Sequence, residues 1–121
     1  AAVAAWQVRN LARLEVLAIP ESERQYQVAS EWAHRHVPPT AVVFSMQMSG
    51  ALHYYTDLLV ARWDHPYRQR IPRLVAAARA QQRPIYAALH AFEEAPARRL
   101  IPGEWVEVGR SGATTFWEIR P

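Results

Sequence analysis

Apolar residues recur along this chain with two different periods, and the changes of period mark its elements. In residues 2–18, Trp6, Leu14 and Leu17 fall among the apolar positions of an amphipathic helix that Pro20 ends. Ser22-Glu23-Arg24-Gln25 has the spacing of a capping box, in which Ser and Gln satisfy each other's free backbone donors, and it opens a second helix. Tyr26, Ala29, Trp32, Ala33 and His36 form one face of that helix. Pro38-Pro39 stops it, because the residue before a proline is driven out of the α region. The period then drops: Ala41 to Met46 is a short apolar, β-branched run that predicts a buried strand. Ala51 to Tyr55 follows as a short helix and Leu58 to Trp63 as a second strand. Ile71, Leu74, Val75 and Ala78 give a third helix its apolar face, with Pro72 in its first turn. Pro84 to His90 predicts a third strand and Glu93 to Leu100 a short helix with Pro96 near its start. Trp105–Val108 and Thr115–Ile119 predict a hairpin across Arg110-Ser111-Gly112-Ala113.

Strands alternating with helices predict an α/β fold with three layers: about three parallel strands, a C-terminal antiparallel hairpin, and helices on both faces. The 121 residues suit one domain. Residues 21–121 form that domain, and residues 1–20 are a helix or a connector from an upstream segment. The chain opens Ala1-Ala2-Val3 rather than with Met, which suggests a fragment or a processed product.

Composition removes several function classes. With no cysteine there is no disulfide, thiolate metal site or cysteine nucleophile. The net charge is +3, and every basic side chain besides histidine is Arg. These arginines run from Arg9 to Arg120, usually with Glu nearby, which argues against the concentrated basic face of a nucleic-acid binder. No segment reaches the ~18 to 20 consecutive apolar residues of a transmembrane helix.

The strongest local candidate for binding is the turn Gln47-Met48-Ser49-Gly50. It leaves a strand and opens a helix, so its N–H groups and the helix dipole suit an anion. Arg62 and Asp64 end the neighbouring strand on the same edge, where open parallel sheets gather ligands, and His53 is near in sequence. The structural alternative is that Ser49 caps the helix, Gly50 permits a tight turn and Arg62 pairs with Asp64 or Asp57. His65 to Arg73 holds Arg68, Arg70 and Arg73 with a Tyr and two prolines. It suits anionic headgroups or a lipid-linked phosphate, or else it is a solvated loop. Other chemistry finds little footing. His34 and His36 diverge on a helix, and His53 with Asp57 makes only two ligands, so no metal site is expected. Ser45, Ser49 and Ser111 lack a G-x-S-x-G elbow, and Glu93-Glu94 suits a helix N-terminus. No nucleotide-binding fingerprint is present, and no cofactor is implied.

From Tyr26 to Asp64 the order is a helical Tyr, Ala33-His34-Arg35-His36-Val37-Pro38, Ala41-Val42-Val43-Phe44, Gln47-Met48-Ser49-Gly50-Ala51-Leu52-His53-Tyr54-Tyr55 and Arg62-Trp63-Asp64. With Pro84-Ile85-Tyr86 and Glu93-Glu94 after it, this stretch resembles the soluble C-terminal domain of bacterial GT-C class membrane glycosyltransferases, relatives of protein mannosyltransferases. The resemblance covers about 70 residues, and nothing after Gly103 adds to it. It implies a non-catalytic, extracytoplasmic accessory domain whose parent protein does its chemistry elsewhere. The implied partners are the transmembrane portion of that parent and a polyprenyl-phosphate-linked sugar or acceptor. Gln47, Ser49, Gly50, His53, Arg62 and Asp64 would line any ligand site. Two other readings stand beside it. One is a freestanding interaction module that forms homo-oligomers or docks a partner through an aromatic surface including Trp6, Trp105 or Trp117. The other is a small α/β enzyme acting on a phosphorylated metabolite, with His53 as base near Ser49.

Overall fold

The computed structural model describes residues 21–121; the predicted helix 2–18 and Trp6 lie outside the described residues. The order is α1 (Glu21–His36), β1 (Val42–Ser45), α2 (Ser49–Tyr55), β2 (Leu59–Arg62), a 3-10 turn (Tyr67–Arg70) running into α3 (Ile71–Ala80), β3 (Ile85–Leu89), α4 (Ala91–Leu100), β4 (Glu104–Ser111) and β5 (Thr114–Arg120). Glu21 is already helical, so α1 does not begin at the predicted capping box. Its acidic first turn (Glu21, Glu23) and basic last turn (His34, Arg35, His36) follow the order that the helix dipole favours.

The fold is α/β, around one five-stranded mixed sheet ordered β2-β1-β3-β5-β4. β1 pairs in parallel with β2 and β3, and β5 runs antiparallel to both β3 and β4. Side chains alternate across each strand and so build two cores. On one face Val42, Phe44, Ile85, Ala87 and Ile119 pack with Ile71, Val75 and Ala78 of α3 and Ala97 of α4. On the other, Val43, Tyr86, Ala88 and Phe116 pack with Ala29 and Ala33 of α1 and Leu52 of α2. The helices that follow β1 and β2 therefore lie on opposite faces, which decides where the site residues end up.

Two details differ from the pattern-based expectation. The hairpin turn is two residues long, with Ser111 paired to Thr114 and Gly112 at φ +57° in the first turn position, where such hairpins take glycine. In β4 the register shifts between Glu107 and Gly109. A Cβ on Gly109 would sit 2.1 Å from the Trp32 ring, so glycine lets that indole lie against the sheet and stack on Phe116 at 4.4 Å. Trp105 and Trp117, which the alternative reading places on an aromatic surface, are half-buried and pack against the core. They meet edge to face, and the Arg98 guanidinium lies 5.3 and 4.5 Å from their ring centroids.

Candidate functional site

β1, β2 and β3 end side by side, with Ser45 in register with Arg62. At this carboxyl edge Glu93 is wholly buried, the one ionisable acid or base so buried among the described residues. Its Oε1 accepts from the Met46 N–H at 3.1 Å, the Gln47 N–H at 3.3 Å and the Trp63 indole N–H at 3.0 Å. Its Oε2 accepts from the His90 N–H at 2.9 Å, and the Glu93 N–H donates to the His90 carbonyl at 3.0 Å. One carboxylate thus ties together the segments leaving all three parallel strands. Bonds to an ionised acceptor are the strong kind, which is how a buried acid is tolerated here. Sequence reasoning missed this role because it started the helix at Glu93. α4 begins at Ala91, which makes Glu93 the third helical residue and His90 the cap. A glutamate at that position is the available signal.

Glu93 also changes what the turn after β1 offers. Two of its N–H groups, at Met46 and Gln47, already serve the protein's own carboxylate. Ser49 is the first residue of α2 rather than its cap; its N–H and its Oγ both donate to the Met46 carbonyl, at 3.2 and 2.7 Å. Gly50 is not required by a tight turn: it is helical, and a Cβ there would meet nothing within 4 Å.

The predicted ligand residues fall into two grooves. The first, of about 440 Å³, lies between α1 and α2 and is lined by Glu23, Tyr26, Gln47, Gly50, Ala51, Tyr54 and Tyr55. The Gln47 amide N–H donates to the Tyr26 hydroxyl at 2.7 Å, holding both side chains together in its lining. Tyr54 and Tyr55 meet edge to face at 4.8 Å on its rim, with Tyr54 80% exposed. His53 is exposed and does not line this groove. Beyond Tyr26 the rings continue through His90, 5.9 Å away, to Phe92.

The second groove, of about 360 Å³, lies beside the edge strand β2 and is lined by Val60, Ala61, Arg62, Tyr67, Arg70, Ile71 and Leu74. Arg62 donates to both oxygens of Asp64, at 2.9 and 2.6 Å, and lies 5.5 Å from the Tyr67 ring centroid. The hydrogen bonds and charge of Asp64 push the Arg62 guanidinium further above its already high pKa. Arg70 lines this groove, and Arg68 and Arg73 are exposed on the same segment of chain. The edge that Arg62 shares with Gln47 is the predicted one, but the two open onto different grooves.

Among the described residues, no three His, Asp or Glu side chains gather as a metal-binding group, and no helix is long and apolar enough to cross a membrane. Compared with known protein families, curated proteins and solved structures, the chain shows no significant match to any.

Proposed function

We propose that this chain is a non-catalytic accessory domain of a membrane-embedded, glycosyltransferase-like protein, and that the groove between α1 and α2 holds the sugar of a lipid-linked donor or acceptor. One observation carries the reading. Every residue lining that groove except Glu23 belongs to the stretch that resembles the GT-C domains, although Tyr26 and Tyr55 are far apart in the chain. The lining also suits a sugar ring. Tyrosine faces take its C–H surface, while Gln47, Glu23 and the tyrosine hydroxyls offer partners to its hydroxyls. Glu23 is the one acid in the lining, whereas glycoside hydrolysis generally needs a pair of carboxylates; this favours holding over cutting. On this reading the domain sits on the extracytoplasmic side and packs on the transmembrane portion of its parent.

Gly50 supplies the test. A Cβ there meets nothing within 4 Å, so Gly50→Leu should extend into the groove at little cost to the fold, which circular dichroism checks. Titrating a short-chain prenyl-phosphate hexose into the labelled protein should shift the amide signals of Gln47, Gly50, Ala51 and Tyr55. Gly50→Leu should abolish those shifts. A wild-type protein that gives no shifts, or gives them only elsewhere, would remove the sugar reading. The exposure of Tyr54 (80%) and Phe92 (63%) favours a second reading, a protein-docking module. A mass that rises with concentration in wild type and not in Tyr54→Ala would move that reading to the front.

A further inference from the structure

The arginines run the length of this chain, but their excess over acids is confined to one segment. Residues 62–73 hold four arginines (Arg62, Arg68, Arg70, Arg73) against one acid, Asp64, a net of +3 that equals the net charge of the whole chain. Everywhere else acids and arginines cancel. Asp64 is engaged with Arg62, while Arg68, Arg70 and Arg73 are exposed and none is paired with an acid among the described residues. Arg62 and Arg70 line the second groove, Arg68 and Arg73 are exposed on the same segment, and the apolar part of the lining is Val60, Ala61, Ile71 and Leu74. Tyr67 stands at its mouth, 37% exposed, beside the Arg62 guanidinium.

We infer that this corner is a docking surface for a bilayer carrying anionic phospholipid. Unpaired arginines meet the headgroup phosphates, and Tyr67, apolar in body and polar at its tip, sits at the level of the headgroups. The aliphatic groove beneath takes the start of a lipid chain. That apolar lining distinguishes a lipid from a nucleic acid, whose phosphodiester backbone brings nothing to fill it. The inference stands independently of what the groove between α1 and α2 holds, because it uses other residues on another face.

The test is co-sedimentation of the full chain with vesicles of phosphatidylcholine alone and with vesicles that also contain phosphatidylglycerol. Binding should appear only with the anionic lipid and should weaken as salt is raised. Each arginine near such a surface is worth about a five-fold change in affinity, so Arg68→Gln, Arg70→Gln and Arg73→Gln together should cost on the order of 100-fold. Circular dichroism should show the variant folded, since these side chains hold nothing in place. A charge-matched control, Arg35→Gln with Arg99→Gln and Arg120→Gln, should lose no more than a few-fold. Equal loss in both triple variants would reduce the effect to net charge and overturn a local surface. Failure of the wild type to bind anionic vesicles would overturn it outright. Inorganic phosphate, single-stranded RNA or an acidic peptide that binds as tightly as the vesicles would reassign the corner to that ligand.

Discussion

The two grooves at the carboxyl edge of the sheet are made of opposite materials. Between α1 and α2 the lining is aromatic and neutral or acidic, with Gln47 and Tyr26 bonded to each other. Beside β2 it is aliphatic with a basic rim, and its one strong polar contact, Arg62 with Asp64, lies in the open. They differ because α2 and α3, which follow adjacent strands, go to opposite faces of the sheet. They are nonetheless braced by one group. Glu93 holds the backbone of Gln47 on one side and the Trp63 indole on the other. The difference teaches that a strand edge can present two surfaces for two ligand chemistries while relying on a single buried carboxylate for rigidity.

Removing that brace should have the largest effect of any change at this edge. Glu93→Ala leaves four N–H donors without their acceptor, and a loss of about 4 kcal/mol in urea unfolding is expected. Glu93→Gln is the sharper experiment. Its amide presents one oxygen and one NH2 where the carboxylate presents two acceptors, so either the His90 N–H or the group of three donors meets another donor. A loss of about 2 kcal/mol should follow, and amide signals should move in both grooves. If both variants stay within about 0.5 kcal/mol of wild type, the range of an ordinary surface change, the brace is not what holds the edge.

A smaller break separates the two sides. Trp63→Phe removes one of the three donors to Oε1 and opens a little space in a buried position, so a cost of about 1 to 2 kcal/mol is expected. Because Met46, Gln47 and His90 keep their bonds to Glu93, the signals of the groove beside β2 should move while those of Tyr26 and Tyr54 stay in place. A double-mutant cycle with Glu93→Gln should then show coupling, since the two residues share a contact. Additive losses would mean that the indole N–H contributes nothing through the carboxylate.

Much of this edge is legible in the sequence, and the part that is not has a physical reason. Pro38-Pro39 and the apolar runs at Val42 and Ile85 placed α1, β1 and β3 to within a residue or two, because those signals are local. A pair between Arg62 and a nearby acid, Asp64 or Asp57, was legible as the structural alternative, and the partner is Asp64, two residues on. Grouping Gln47 with Arg62 reads only which end of the sheet they share. The groove each one enters depends on the face taken by α2 and α3, which is decided by packing at long range. Glu93 was hidden for a related reason. Its partners at Met46 and Trp63 are 47 and 30 residues away, and its own neighbours read only as a helix start. Gly50 was misread in the other direction, since a glycine suggests a turn and here it sits within a helix with open space beside it.

The smallest expected effect on the fold comes from Asp64→Asn, and it sharpens the contrast between the grooves most directly. The pair it breaks is exposed, and exposed ion pairs contribute little to stability, so the unfolding midpoint should barely move. What changes is electrostatic. Losing the one acid of residues 62–73 raises their net charge from +3 to +4 and frees the Arg62 guanidinium at the mouth of the apolar groove. Binding to anionic vesicles should therefore tighten by about five-fold, the reverse of what an arginine loses. Sugar binding in the groove between α1 and α2 should not change, because Asp64 does not line that groove. Should the same substitution weaken vesicle binding, the Arg62–Asp64 pair would be part of the bound geometry rather than a competitor for the phosphate, and the basic rim would work through Arg68, Arg70 and Arg73 alone.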